Sequence, residues 1–147
     1  MLVSEILKAK GAQVHSVAPS TTLRAAIRVL CEHHIGSLLV MAKNGHGPHP
    51  VGIITERDLL RQCDQGADLD QIQVHQAMAT DLIIGLTTDD VQQAMSTMTE
   101  RRVRHLPIVD GETGRIAGML SIGDVVNALR HDEAAAVRYL HDYIRLF

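Results

Sequence analysis

The sequence predicts a mixed α/β fold made of two βαββα repeats packed face to face, followed by a C-terminal helix. Two observations predict it. One amphipathic helical pattern occurs twice, and each occurrence is framed by the same order of capping residues, short apolar runs and polar turns. At 147 residues the chain also has room for two small subdomains that share a core. Neither copy is long enough to bury its own sheet well, hence the face-to-face packing.

The elements follow in order. Each copy opens with a short amphipathic lead-in, Val3-Ser4-Glu5-Ile6-Leu7 and Val74-His75-Gln76-Ala77-Met78. Strands are expected near Gln13–Val17 and Leu82–Leu86. The clusters Pro19-Ser20-Thr21-Thr22 and Thr87-Thr88-Asp89-Asp90 then supply N-cap chemistry. Leu23, Ala26, Ile27 and Leu30 recur at i, i+3, i+4 and i+7, as do Val91, Ala94, Met95 and Met98. Strand-length apolar runs come next, Leu38–Met41 and Leu106–Val109, then polar turns at Lys43–Pro50 and Asp110–Arg115. Second strands at Val51–Ile54 and Ile116–Leu120 lead into helices at about Glu56–Gln62 and Ile122–Leu129. The first repeat with its lead-in therefore covers residues 1–66 and the second 72–130, joined by polar Gln65–Asp70. Residues 131–147 form a tail helix outside both repeats.

Composition narrows the function. Apolar residues make up 46% and charged residues 21%, with a net charge of −3. No basic excess points to nucleic acid or to an anionic membrane. The three aromatics, Tyr139, Tyr143 and Phe147, all lie in the tail, so the repeats offer no surface on which bases stack. Apolar runs such as Ile35–Ala42 are too short to span a bilayer, and Met1–Gly11 lacks a signal-peptide stretch. Two cysteines imply no disulfide framework, which suggests a reducing cytoplasm.

Where the last strand of each copy meets its last helix, one pattern recurs: Gly52-Ile53-Ile54-Thr55-Glu56-Arg57-Asp58 and Gly118-Met119-Leu120-Ser121-Ile122-Gly123-Asp124. A hydroxyl at a helix N-terminus stands among free N–H groups that favour a phosphate. An aspartate one turn on accepts two vicinal hydroxyls of a ribose. The glycine is expected to admit a ligand close to the backbone. The same Thr-x-x-Asp and Ser-x-x-Asp also approximate a capping box that only satisfies helix N–H groups. Both readings stand at this point, and they are compatible.

These segments, together with Arg102-Val103-Arg104-His105-Leu106-Pro107-Ile108-Val109 and the doubled βαββα order, resemble the tandem cystathionine-β-synthase (CBS) domain family, or Bateman modules. The resemblance covers about residues 1–130 and is similar to short bacterial proteins made of little else. It implies a pseudo-two-fold pair with two clefts, often assembled as a homodimer, that takes AMP, ADP, ATP, NAD or S-adenosylmethionine. It places ribose on Asp58 and Asp124 and the phosphate side on Thr55 and Ser121. It holds the base near Val17, Ser37 and the Val103–Pro107 strand entry, with Pro107 included. Arg57, Arg104 and His105 are candidates for phosphate contact, with a solvated helix-surface charge the alternative for Arg57. The expected role is regulatory rather than catalytic, acting through a homodimer or a regulated partner protein.

Other features point elsewhere. His33-His34 and His46-Gly47-Pro48-His49 lack ligand-spaced partners, so no metal is expected. Cys31 borders the apolar helix face and is expected to be a packed thiol, and Met95, Met98 and Met119 to be core filler. In the tail, Val137, Leu140, Ile144 and Phe147 form a stripe flanked by Tyr139 and Tyr143, suited to a subunit or partner contact. Docking on the protein's own repeats is the alternative.

Overall fold

A computed structural model describes residues 1–11, 13–130 and 133–146. The chain divides into two compact units: Val14–Leu82, and Met1–Gln13 together with the chain from Ile83 onward. Each holds one three-stranded sheet.

In the first unit, β1 (Ser16–Val17) pairs in parallel with β2 (Ser37–Asn44), and β2 pairs antiparallel with β3 (Gly47–Thr55). Helix α2 (Leu23–His33) connects β1 to β2, and α3 (Glu56–Asp64) follows β3. The Thr22 hydroxyl caps α2 by accepting the Ala25 N–H at 3.2 Å. Leu23, Ala26 and Leu30 are buried against Leu38, Val40, Ile54, Leu59 and Val74. Burying one such aliphatic side chain contributes about 1.5–3 kcal/mol.

The second unit repeats this plan. Strand β4 (Gly85–Leu86) is parallel to β5 (His105–Val109), and β5 is antiparallel to β6 (Ile116–Ser121). Helix α4 (Val91–Arg101) is capped by Asp90, which accepts the Gln92 N–H at 2.8 Å, and α5 (Ile122–Ala128) follows β6. Val91, Ala94 and Met98 occupy the positions of the Leu23, Ala26 and Leu30 stripe. The two units share finer details as well. Both helices end in a non-glycine left-handed residue, His34 (φ 53°) and Arg102 (φ 54°). Both hairpins slip register one step past the sheet centre, at Val40/Met41 and Ile108/Val109.

The first hairpin is tighter than the turn expected over Lys43–Pro50. Pairing runs through that segment to Asn44 and Gly47, so Gly45-His46 alone forms the loop. Gly47 has φ +94°, and Asn44 Oδ1 accepts the His46 N–H at 2.8 Å. Pro48 and Pro50 misdirect the sequence reading because they lie within a strand. They are tolerated because β3 is the outer strand of its sheet.

The lead-ins pack differently from their order in the sequence. Helix α1 (Val3–Lys10), expected with the first repeat, packs in the second unit, where Val3, Ile6 and Leu7 are buried. The Val3 N–H donates to Asp89 O at 2.9 Å. The turn at Val74–Gln76, expected with the second repeat, packs in the first, with the Val74 N–H donating to Thr21 O at 2.7 Å. Each lead-in covers the start of the main helix in the other copy.

The tail helix α6 (Glu133–Leu146) docks on its own unit. Tyr139, expected beside an interface stripe, is instead 4% exposed in the core. Its hydroxyl lies 3.6 Å from Met98 Sδ, and burial pushes the phenol up to about 12. Val137, Leu140 and Ile144 face outward, while Phe147 lies outside the described residues. Cys31 is also exposed, contrary to its expected packing. One helical step beyond Leu30 turns it off the buried face.

Candidate functional site

Both Thr/Ser-x-x-Asp segments fold into one constellation. Thr55 is extended and caps α3: its Oγ1 accepts the Asp58 N–H at 3.3 Å. In return Asp58 Oδ2 accepts the Thr55 N–H at 2.9 Å and the Thr55 hydroxyl at 3.0 Å. In the second unit Ser121 Oγ accepts the Asp124 N–H at 3.2 Å, and Asp124 Oδ2 accepts the Ser121 N–H at 2.7 Å and its hydroxyl at 2.9 Å. The capping box is therefore real in both repeats. It leaves the aspartates 15% and 21% exposed at the ends of their sheets.

The neighbours of each constellation also correspond. Ser37, which is buried, sits opposite Thr55 across the β2–β3 ladder, and His105 sits opposite Ser121 across β5–β6. The Glu56 N–H donates to Gly36 O at 3.0 Å and the Ile122 N–H to Arg104 O at 3.1 Å, which joins each helix start to the entering strand. Val17 pairs with Val40 farther along the first sheet, and Pro107 is buried opposite Met119 in the second. The first unit thus gathers Ser37, Thr55 and Asp58, with Arg57 exposed on the first turn of α3 and Val17 apart from them. The second gathers Arg104, His105, Pro107, Ser121 and Asp124. Arg104 is engaged by the tail: its Nε donates to the Tyr143 hydroxyl at 2.6 Å, and its guanidinium carbon lies 5.9 Å from that ring's centre.

The glycines have a packing role beside the one expected. A Cβ on Gly52 would stand 2.5 Å from Met78 Sδ and 2.9 Å from the Ala79 carbonyl oxygen. A Cβ on Gly118 would stand 2.7 Å from Leu7 Cδ2. Close approach of the exchanged lead-in therefore favours glycine at both positions, most firmly at Gly52, where the backbone oxygen of Ala79 is among the neighbours.

Lys10 was not singled out in the sequence. From the end of α1 its ammonium donates to Asp124 Oδ2 at 2.6 Å and to the Met119 carbonyl at 2.7 Å. The only available signal is its place three residues after Leu7, on the helix that lies over Gly118. That signal becomes visible only once α1 is assigned to the second unit. At Asp58 the corresponding cation is Arg61, from the same helix, 3.5 Å from Oδ1.

The histidines make other contacts. His33 stacks on His15 with ring centroids 3.8 Å apart, and His49 Nδ1 lies 3.5 Å from Gly47 O. No cluster of metal-ligating side chains occurs among the described residues. No described helix is long and apolar enough to cross a membrane.

Comparison with known proteins places this geometry. The CBS domain model matches residues 3–64 and again 73–131. A mitochondrial CBS domain-containing protein of Arabidopsis thaliana is 34% identical over 150 residues, spanning 97% of this chain and 71% of that one. The crystal structure of a CBS-domain containing protein from Agrobacterium tumefaciens superposes with a TM-score of 0.79 at 36% identity, over 87% of this chain and 98% of that one. A CBS domain protein from Pyrobaculum aerophilum, solved in complex with AMP, superposes with a TM-score of 0.75 at 30% identity, over 84% and 89% of the two chains. Two matches to one domain model, the duplicated sheet and the paired aspartate caps together make this chain a tandem member of the CBS-domain family.

Proposed function

We propose that the protein is a regulatory module that binds an adenine nucleotide, with AMP the first candidate, on the Asp58 and Asp124 carboxylates. The observation that carries this reading is the recurrence of one hydroxyl–carboxylate constellation at the same sheet end in both units. An ionised carboxylate offers about four acceptor sites, so the cap does not exhaust it, and a ribose diol can add to it. Val17 and Ser37 in the first unit, and His105 and Pro107 in the second, are the candidates to line the base. The AMP complex of the Pyrobaculum relative supports the ligand class. ADP, ATP, NAD and S-adenosylmethionine share the ribose and are the competing ligands.

The role is binding rather than catalysis, the reading that membership of the CBS-domain family supports. Occupancy is read out through a homodimer or a partner protein, and the outward Val137, Leu140 and Ile144 offer apolar surface for that contact. The complete capping boxes favour a second reading, a scaffold whose aspartates are caps alone. A thermal-shift panel with AMP, ATP, NAD and S-adenosylmethionine separates the two readings. Binding to the folded state raises the melting temperature by mass action, and a scaffold shows no shift at millimolar ligand.

A further inference from the structure

The two carboxylates are alike in their caps and unlike in their cations. Arg61 reaches Asp58 at 3.5 Å from an exposed side chain of the same helix. Lys10 reaches Asp124 at 2.6 Å from a separate helix and is anchored a second time on the Met119 carbonyl. Asp124 Oδ2 therefore receives three donors, from the Ser121 N–H, the Ser121 hydroxyl and the Lys10 ammonium. A cavity of about 280 Å³ adjoins the pair, with Glu5, Ala9, Lys10, Asp124 and Asn127 on its wall.

We propose that Lys10 is a specificity-determining residue that makes the Asp124 site select phosphorylated nucleosides over neutral ones. The inference rests on the nucleotide-binding reading above. A ribose diol arriving at Asp124 meets a carboxylate whose charge is already shared with the ammonium, and a neutral nucleoside gives nothing back where its hydroxyls weaken that ion pair. A ligand with a phosphate ester on the same ribose does, because Lys10 sits on a flexible stem beside the sugar and can turn to the new anion. At Asp58 the cation recorded, Arg61, comes instead from the same helix as the carboxylate. The two sites are thus built to differ in how strongly they require a phosphate.

The test is calorimetric titration of adenosine and of AMP in an Asp58→Asn background, which leaves Asp124 as the site read. With Lys10 present, AMP binds more tightly than adenosine. In Lys10→Met the ratio of AMP to adenosine affinity falls by about tenfold, the scale of one charge-assisted hydrogen bond, with adenosine gaining. Lys10→Arg keeps the ratio near its starting value. If Lys10→Met fails to fold, Lys10→Gln carries the same comparison. An unchanged ratio, or equal losses for both ligands, overturns the role of Lys10 while leaving the nucleotide reading intact. Failure of AMP and adenosine to bind the unmodified chain overturns that reading, and this inference with it.

Discussion

Met78 closes over Gly52 so tightly that a single added methyl group would stand 2.5 Å from its sulfur. Leu7 covers Gly118 in the same way, 2.7 Å from the position a Cβ would take. In each unit the last strand is roofed by a lead-in from elsewhere in the chain, and the glycine exists to let that roof down.

Alanine at either glycine should therefore act on stability. Gly52→Ala meets the Ala79 carbonyl oxygen as well as Met78, and that oxygen is fixed by the Ile53 N–H at 3.0 Å. It should cost about 1–3 kcal/mol, the usual range for overpacking. Gly118→Ala meets only the movable end of Leu7 and should cost less. Denaturant unfolding of both variants checks the order. Lost ligand affinity with unchanged stability would restore the ligand-approach explanation of these glycines.

A pH dependence follows from the histidine stack. Burial, and then the neighbouring His33, holds the His15 imidazole below its ordinary value. The unfolded chain then takes up a proton on His15 at a higher pH than the folded one does. Stability from this group is present above the unfolded value near 6.5 and declines as pH falls through and below it. The melting temperature should drop between about pH 7.5 and pH 5.5, and His15→Gln should flatten that slope. An equal slope in the variant would assign the effect to other groups.

The tail has two faces with separate consequences. Tyr139→Ala empties a core position and should destabilise the second unit by about 3–5 kcal/mol. Ile144→Glu, at a side chain 73% exposed, should leave the melting temperature within about 1 °C. It should lower the assembly mass in light scattering if this face holds a homodimer. A monomer before and after the change would remove this face from the assembly and leave Tyr139 as the reason for the helix.

Much of the fold is legible in the sequence because periodicity repeats. Leu23, Ala26 and Leu30 announce the buried face of α2, and Val91, Ala94 and Met98 announce that of α4 by the same spacing. Thr55 and Asp58, with Ser121 and Asp124, are legible as a cap and as a carboxylate at a sheet end, since both roles depend on local spacing. What the sequence hides is long-range. Nothing in Val3–Lys10 says that it packs on the later repeat, so Lys10 is invisible as a partner of Asp124. Nor does helical periodicity separate Tyr139, which is buried, from Leu140, which is exposed. They are neighbours in sequence, and the choice is made by where Met98 lies.

In the proposed function Asp58 and Asp124 receive a ribose in addition to capping their helices. The most direct measurement is calorimetric titration of AMP into the unmodified chain and into Asp58→Ala, Asp124→Ala and the double variant, well below their melting temperatures. Loss of each cap should cost about 1 kcal/mol of stability whichever reading holds. AMP should bind the unmodified chain saturably. Each single variant should lose about 1.5–3 kcal/mol at its own site, and the double variant should show no measurable binding. Binding of undiminished affinity in the double variant, or no heat from the unmodified chain at millimolar AMP, would contradict the proposed function.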